Sequence, residues 1–220
     1  MKITSEQLQV VRSTPNSAYE LIAPYSLFHS NKLEGSIFIT EEELRKRMES
    51  SIVSGEYTLD DVIETKNSID VFSRVVDTLG QPFANESLIE FNALLLKGTS
   101  SDRLGYIGHF KQIPNRIRNS SVQVALPDEA PTMVHDLLAW REASEKDLGA
   151  ICHFHVRFEH IHPFQDGNGR IGCFIILKQC IENNVDIVAI DEEYEKPHKA
   201  WLEIAQSEGI EKLLLDVFGN

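Results

Sequence analysis

The sequence predicts an all-α fold built as a single, mostly helical domain. Three observations carry that expectation. Apolar residues recur at a 3.6-residue period over much of the chain, glycine and proline fall where those runs should stop, and only one short stretch departs from the pattern.

The elements follow in order. From Thr58 to Leu79 the residues Val62, Ile69, Phe72, Val76 and Leu79 form one helical stripe, with Gly80 as its stop and Pro82 just beyond. Asn85 reads as the N-cap of a helix running to Lys97, with Leu88, Phe91 and Leu95 on one face and Gly98 at its end. Residues 129–147 and 149–160 read as two further helices, and another runs from about Asn168 to Asn183. The last pieces, about Glu195 to Ser207 and Ile210 to Phe218, are also helical in pattern. The exception is Ile113 to Ala125, where Pro114 and then Asn119-Ser120 interrupt short β-prone runs, the mark of a small hairpin or an extended loop. No strong linker divides the chain. The reading is an N-terminal helical arm over residues 1–54 and a core over 55–220.

Composition narrows the function classes. Hydrophobic residues make up 42% of the 220, enough for a real core. The chain lacks the run of ~18 apolar residues that a membrane helix needs, so no membrane partner is expected. Met1 to Gln9 lack the apolar run of a secretory signal. The three cysteines, Cys152, Cys173 and Cys180, form no CxxC pair, and their odd number argues against a disulfide framework. A cytoplasmic location is the expectation. The net charge of −13 disfavours nucleic acid as a partner, because phosphate backbones are held by clustered Lys and Arg. A single nucleotide needs only a local cluster of donors and is not excluded.

The informative stretch is His155 to Cys173, centred on His162-Pro163-Phe164-Gln165-Asp166-Gly167-Asn168-Gly169-Arg170. Pro163 cannot continue a helix, so the preceding one must end or turn there. Two glycines frame an Asn and let the backbone approach a ligand closely. An apolar run from Ile171 follows at once, which implies helix, tight loop, helix. The N–H groups opening the second helix form an anion site. Arg170 in its first turn adds a guanidinium suited to phosphate oxygens, and Asp166 is a hard oxygen ligand suited to Mg²⁺. His162 lies at the mouth of the loop, and an imidazole is a residue type suited to taking up a proton. A Gly-Asn-Gly turn alone is usually only a turn, and His153, His155, His160 and His162 have no spacing that completes a zinc site. The four chemistries within nine residues are what point to phosphate chemistry.

HPFQDGNGR resembles the signature of the Fic family, HPFx(D/E)GNGRxxR, and His155, Phe158, Glu159 and Ile161 resemble its lead-in. The resemblance covers about residues 55–218. It implies an all-helical Fic fold with a small β-hairpin flap, which maps to about residues 112–124. It also implies transfer of AMP from ATP, with Mg²⁺, to a Ser, Thr or Tyr hydroxyl of a target protein or of the chain itself, with release of pyrophosphate. On that resemblance His162 is the general base and Asp166 the metal ligand. Gly167, Asn168 and Gly169 cradle the phosphates, and Arg170 neutralises the β-phosphate. The target would bind along the flap. Tyr194, His198 and Trp201 are candidates for contact with adenine or for packing.

Two features qualify the resemblance. Where the family carries a second arginine, three residues after the first, this chain has Cys173, which supplies no fixed positive charge. Near the N-terminus, Ser30-Asn31-Lys32-Leu33-Glu34-Gly35 resembles the family's inhibitory motif [ST]xxxE[GN], in which the glutamate pairs with that second arginine. Without it, autoinhibition through Ser30, Glu34 and Gly35 is expected to be weak, with Glu34 a structural cap or a partner of Arg170. The alternatives are other phosphate chemistry on the same fold, including phosphotransfer or AMP removal, and a non-enzymatic regulatory module. Tyr25, Leu27 and Phe28 in the arm would serve the core or a homodimer, so both monomer and homodimer stay open.

Overall fold

The structure, a computed structural model, describes residues 58–185 and 192–210, with backbone alone for 192–199. The arm over 1–54, with its Ser30, Glu34 and Gly35, and the helix expected over 210–218 therefore lie outside the described residues, apart from Ile210. What is described is helical. The elements are α1 (Leu59–Asp77), α2 (Asn85–Leu96), α3 (Ser100–Arg103), α4 (Ala130–Ala143), α5 (Leu148–Ile161), α6 (Asn168–Glu182) and α7 (Glu192–Glu208).

Local chemistry sets the ends. Thr58 caps α1 through a capping box with Asp61: the Thr58 hydroxyl accepts from the Asp61 N–H at 3.2 Å, and the Asp61 carboxylate accepts from the Thr58 N–H at 2.9 Å. Asn85 is the first residue of α2, not its cap; extended Ala84 takes the cap position with no side-chain bond. Asp147 caps α5 by accepting the Ala150 N–H at 2.8 Å, so the boundary between the two central helices is a cap at 147 and not a continuation of the first helix to that residue. The short α3, which the apolar period does not reveal, forms behind Thr99, whose side chain accepts from the Asp102 N–H.

Helix α6 is the axis of the core. Twelve of its fifteen residues are buried, Asn168, Arg170, Lys178 and Gln179 among them, so the helix is enclosed on nearly every side. Val71, Phe72 and Val75 of α1, Phe91 and Leu95 of α2, and Phe154 and Phe158 of α5 are fully buried in the same cluster as Ile171 of α6. At Gly172 a Cβ would lie 2.5 Å from Glu159 Oε1 and 3.0 Å from the His155 ring. Glycine there is what lets α6 approach α5 closely enough to pack against those two side chains.

Residues 112–124 do not form the expected hairpin; no strand occurs among the described residues. The segment turns at Asn119, whose φ is +57°, and runs on without regular structure. Two of its N–H donors are taken by side chains of α7 instead of by a neighbouring strand. The Ser121 N–H donates to Glu203 at 2.7 Å, and the Gln206 amide both accepts from the Gln123 N–H at 2.8 Å and donates to the Gln123 carbonyl at 2.7 Å.

Candidate active site

Helix α5 ends at Ile161, and His162 closes it in the left-handed region at φ +50°, ψ +57°. A side chain there costs about 1–3 kcal/mol, so neighbouring contacts must hold it. The His162 N–H donates to the Phe158 carbonyl at 2.9 Å. Next to it, Lys111 closes the helix end: its N–H donates to the Pro163 carbonyl at 2.8 Å, and its ammonium to the Ile161 carbonyl at 3.1 Å and to Asn115 Oδ1 at 2.9 Å. A cation belongs at a helix C-terminus, although burial pushes the Lys111 ammonium down to about 8. The His162 ring stands at the loop mouth with Nδ1 3.7 Å from Glu159 Oε2, an ion-pair distance and not a hydrogen bond. Glu159 is itself buried.

The loop is tied to the core through Phe164 and Asn168. Phe164 is fully buried, its ring 5.6 Å from that of Phe110. Asn168 brackets its backbone: Oδ1 accepts from the Phe164 N–H and Nδ2 donates to its carbonyl, both at 2.8 Å. Asn115 adds a third bond to the same carbonyl at 2.7 Å. The Asn168 side chain is thus spent on holding the loop closed. What remains for an anion is backbone: α6 opens with Gly167 in the left-handed region at φ +79° and no side-chain cap on its first turn.

Asp166 sits beside that opening, its side chain 41% exposed. Ser101 donates to its Oδ2 at 2.6 Å, the Gly167 N–H to its Oδ1 at 2.7 Å, and Asn92 to its carbonyl at 3.0 Å. Asn92 in turn accepts from the Gly108 N–H at 3.1 Å. No group of three or more metal-ligating side chains forms among the described residues. One reachable carboxylate suits a Mg²⁺ ion that takes most of its ligands from water and substrate phosphates, and the donor set fits that use.

Arg170 is almost fully buried. Its Nη1 pairs with Glu64 of α1 at 2.7 Å, and its Nη2 lies 3.7 Å from Asp166. Burial raises the Glu64 carboxyl above the usual range, an effect the Arg170 guanidinium opposes. Cys173 stands half-buried near the start of α6.

The four histidines disperse. His153 stacks on Trp140 at 4.4 Å, His155 is buried beside Gly172, and His160 meets the Leu202 carbonyl at 2.8 Å. Only His162 faces the loop mouth. Trp201 packs with Ile117, Val122 and Leu202 of a small cluster, whereas the side chains of Tyr194 and His198 are not described. The structure sets His162, Asp166, Gly167, Asn168, Gly169 and Arg170 on the one turn between α5 and α6.

It adds Glu64, Ser101, Asn92, Lys111 and Asn115, which the sequence reading missed. For Glu64 a signal existed. It lies four residues before Ser68 and eight before Phe72, both fully buried, so it falls on the inner face of α1, where an acidic side chain needs a partner.

Residues 82–180 match the family model described as Fic, Fic/DOC family. A probable protein adenylyltransferase of Aquifex aeolicus is 35% identical over 66 residues, which is 29% of this chain and 20% of that protein. The chain thus spans about one fifth of the length of this curated relative. A Fic domain containing signaling protein from Bacteroides thetaiotaomicron superposes with a TM-score of 0.75 at 20% identity, over 92% of this chain and 80% of that one. A Fic family protein from Desulfovibrio desulfuricans G20 gives 0.74 at 22% identity, over 94% and 65%. A fragment of Fic-1 from C. elegans gives 0.67 at 16% identity, over 90% and 58%. The helical fold is shared with these structures, and residues 82–180 of this chain match the Fic/DOC family.

Proposed function

We propose that this chain transfers AMP from ATP to a Ser, Thr or Tyr hydroxyl of a target protein or of itself. One observation carries the reading: a histidine held left-handed at the end of α5 shares a loop with the uncapped, glycine-opened start of α6. A base and an anion site are thereby set at the two ends of nine residues.

In this reading the α- and β-phosphates of ATP lie on the N–H groups of the first turn of α6, where the helix dipole favours negative charge. Asp166 would hold a Mg²⁺ ion, which supplies charge neutralisation to the phosphates. His162, with Nδ1 turned to Glu159, presents Nε2 to the incoming hydroxyl. The hydroxyl oxygen bonds to the α-phosphorus as its proton passes to Nε2, and the bond to the β-phosphate oxygen breaks to release pyrophosphate. Such a positioned base contributes typically ~10²–10⁴-fold. Arg170 stabilises the charge gathering on the leaving pyrophosphate.

The segment 112–124 would serve as the target-binding flap. Its Ser121 and Gln123 groups are turned to α7, so an extended target would pair with the alternate groups of Val122 and Val124, displacing Ser120 Oγ from the Val122 N–H. Regulation through Ser30, Glu34 and Gly35 would be weak, because Cys173 offers a carboxylate no cation.

The test is incubation with α-labelled ATP and Mg²⁺, alone and with cell lysate, comparing wild type with His162→Ala. Label on protein in the wild type and none in the variant is the expected result. Label that survives His162→Ala would remove the histidine from its role as base. Strong labelling gained only by Glu34→Gly would show that inhibition operates without the second arginine.

A further inference from the structure

Arg170 occupies an awkward place for a cation. It lies in the first turn of a helix, where the dipole disfavours positive charge, and it is almost fully buried. It is also the only arginine between His162 and Cys173. A guanidinium so placed has to be held by something, and what holds it comes from α1, a helix outside residues 82–180 that match the family model. The carboxylate of Glu64 reaches Nη1 at 2.7 Å.

Helix α1 is fixed without Glu64. Its N-terminus carries the Thr58–Asp61 capping box. Asp60 accepts from the Ser100 N–H at 3.0 Å, and Asn67 donates to the carbonyls of Leu95 and Lys97 at 2.9 and 2.8 Å. The same stretch sends Ser101 to Asp166. A chain of polar contacts thus leaves α1 at Asp60 and passes through α3 to Asp166 and Arg170. It returns to α1 at Glu64. Both charged groups at the start of α6 are braced from one rigid wall.

We propose that Glu64 is a positioning residue for the nucleotide site: it holds the Arg170 guanidinium in one orientation, with the Nη2 side toward Asp166 and the phosphate-binding start of α6. The inference rests on the functional reading above. Glu64 touches no substrate; it acts through Arg170, by removing the freedom that a long side chain would otherwise lose on binding. Its effect should therefore appear on ligands that carry a β-phosphate and not on AMP.

The experiment is titration of the full chain with ATP, ADP and AMP in the presence of Mg²⁺, with folding checked by circular dichroism. The variants are Glu64→Ala, Glu64→Gln, Glu64→Asp, Arg170→Ala and the Glu64→Ala/Arg170→Ala pair. Glu64→Ala is expected to weaken ATP and ADP about ten-fold, the loss typical when a supporting hydrogen bond to a binding group is removed, with AMP unchanged. Glu64→Gln keeps an oxygen that accepts from the guanidinium and should recover most of the loss. Glu64→Asp keeps the charge but withdraws it by one methylene, so it should lose ATP selectively and by less. This arm decides if Glu64→Ala does not fold. In the Arg170→Ala background, Glu64→Ala should change nothing further.

Unchanged ATP affinity in folded Glu64→Ala, or in folded Glu64→Asp where Ala is unfolded, would overturn the inference and leave the functional reading standing. Equal losses for ATP and AMP, or losses that add to that of Arg170→Ala, would overturn it in the same way. A wild type that binds none of the three nucleotides would overturn both.

Discussion

The loop from His162 to Arg170 and the segment from residue 112 to 124 border the same site and are built by opposite rules. The loop is closed in part by its own residues, with Asn92, Ser101, Lys111 and Asn115 added from outside it. Asn168 bonds the backbone of Phe164 four residues away, and Gly167 bonds Asp166 next door. The segment closes on distant chain: Ser120, Ser121 and Gln123 bond Glu203 and Gln206, more than eighty residues on. Short-range closure fixes the turn of one region. Long-range closure through exposed side chains leaves the other a surface that α7 holds in place.

The largest expected effect strikes the loop's own clamp. Asn168→Ala removes two buried bonds and strands the Phe164 N–H in the core, which should cost about 2–4 kcal/mol. Denaturant unfolding measures it, and a cost below that of an ordinary surface substitution would break the contrast between the two regions. Gly172→Ala comes next. Its Cβ would collide with Glu159 Oε1, so about 1–3 kcal/mol of overpacking should appear together with lower AMP transfer, as Glu159 is pushed from its place behind His162.

A third prediction concerns pH. His155 is buried, and burial depresses its imidazole below the usual value, with Glu159 opposing. The unfolded chain then takes up a proton near pH 6.5 that the folded chain refuses. Stability should be full above that pH and fall as pH drops through it. Unfolding curves at stepped pH should show that fall flattened in His155→Gln.

The smallest effect belongs to the outer segment. Gln206→Ala removes both bonds to Gln123, yet these are exposed, so stability should change by no more than about 0.5 kcal/mol. Modification of a protein target should lose affinity for that target while nucleotide binding holds. A large loss of stability here would mean that the segment is part of the core after all.

The same contrast explains what the sequence made legible. The helices were readable because their apolar stripes and stops are local, as in α1 with Gly80 beyond it. The loop was readable because the bonds from Asn168 to Phe164 and from Gly167 to Asp166 lie within the motif. Glu64, Ser101, Lys111 and Asn115 were not, because each acts on the loop or its edge from 49 or more residues away, as Lys111 does at Ile161 and Asn115 at Phe164. The hairpin over 112–124 was expected from β-prone residues. Its bonding instead goes to α7, a partner that no period in the segment announces.

The central claim is that the loop delivers AMP, and not another part of ATP, to a hydroxyl. Its most direct test supplies the full chain, Mg²⁺ and lysate with ATP labelled at the α- or the γ-phosphate, and follows label retained on protein after denaturation. The account predicts retention of the α label in the wild type, its loss in His162→Ala, and no retention of the γ label that depends on the added chain. Wild-type-dependent retention of the γ label without the α label would mean phosphoryl transfer and would contradict it.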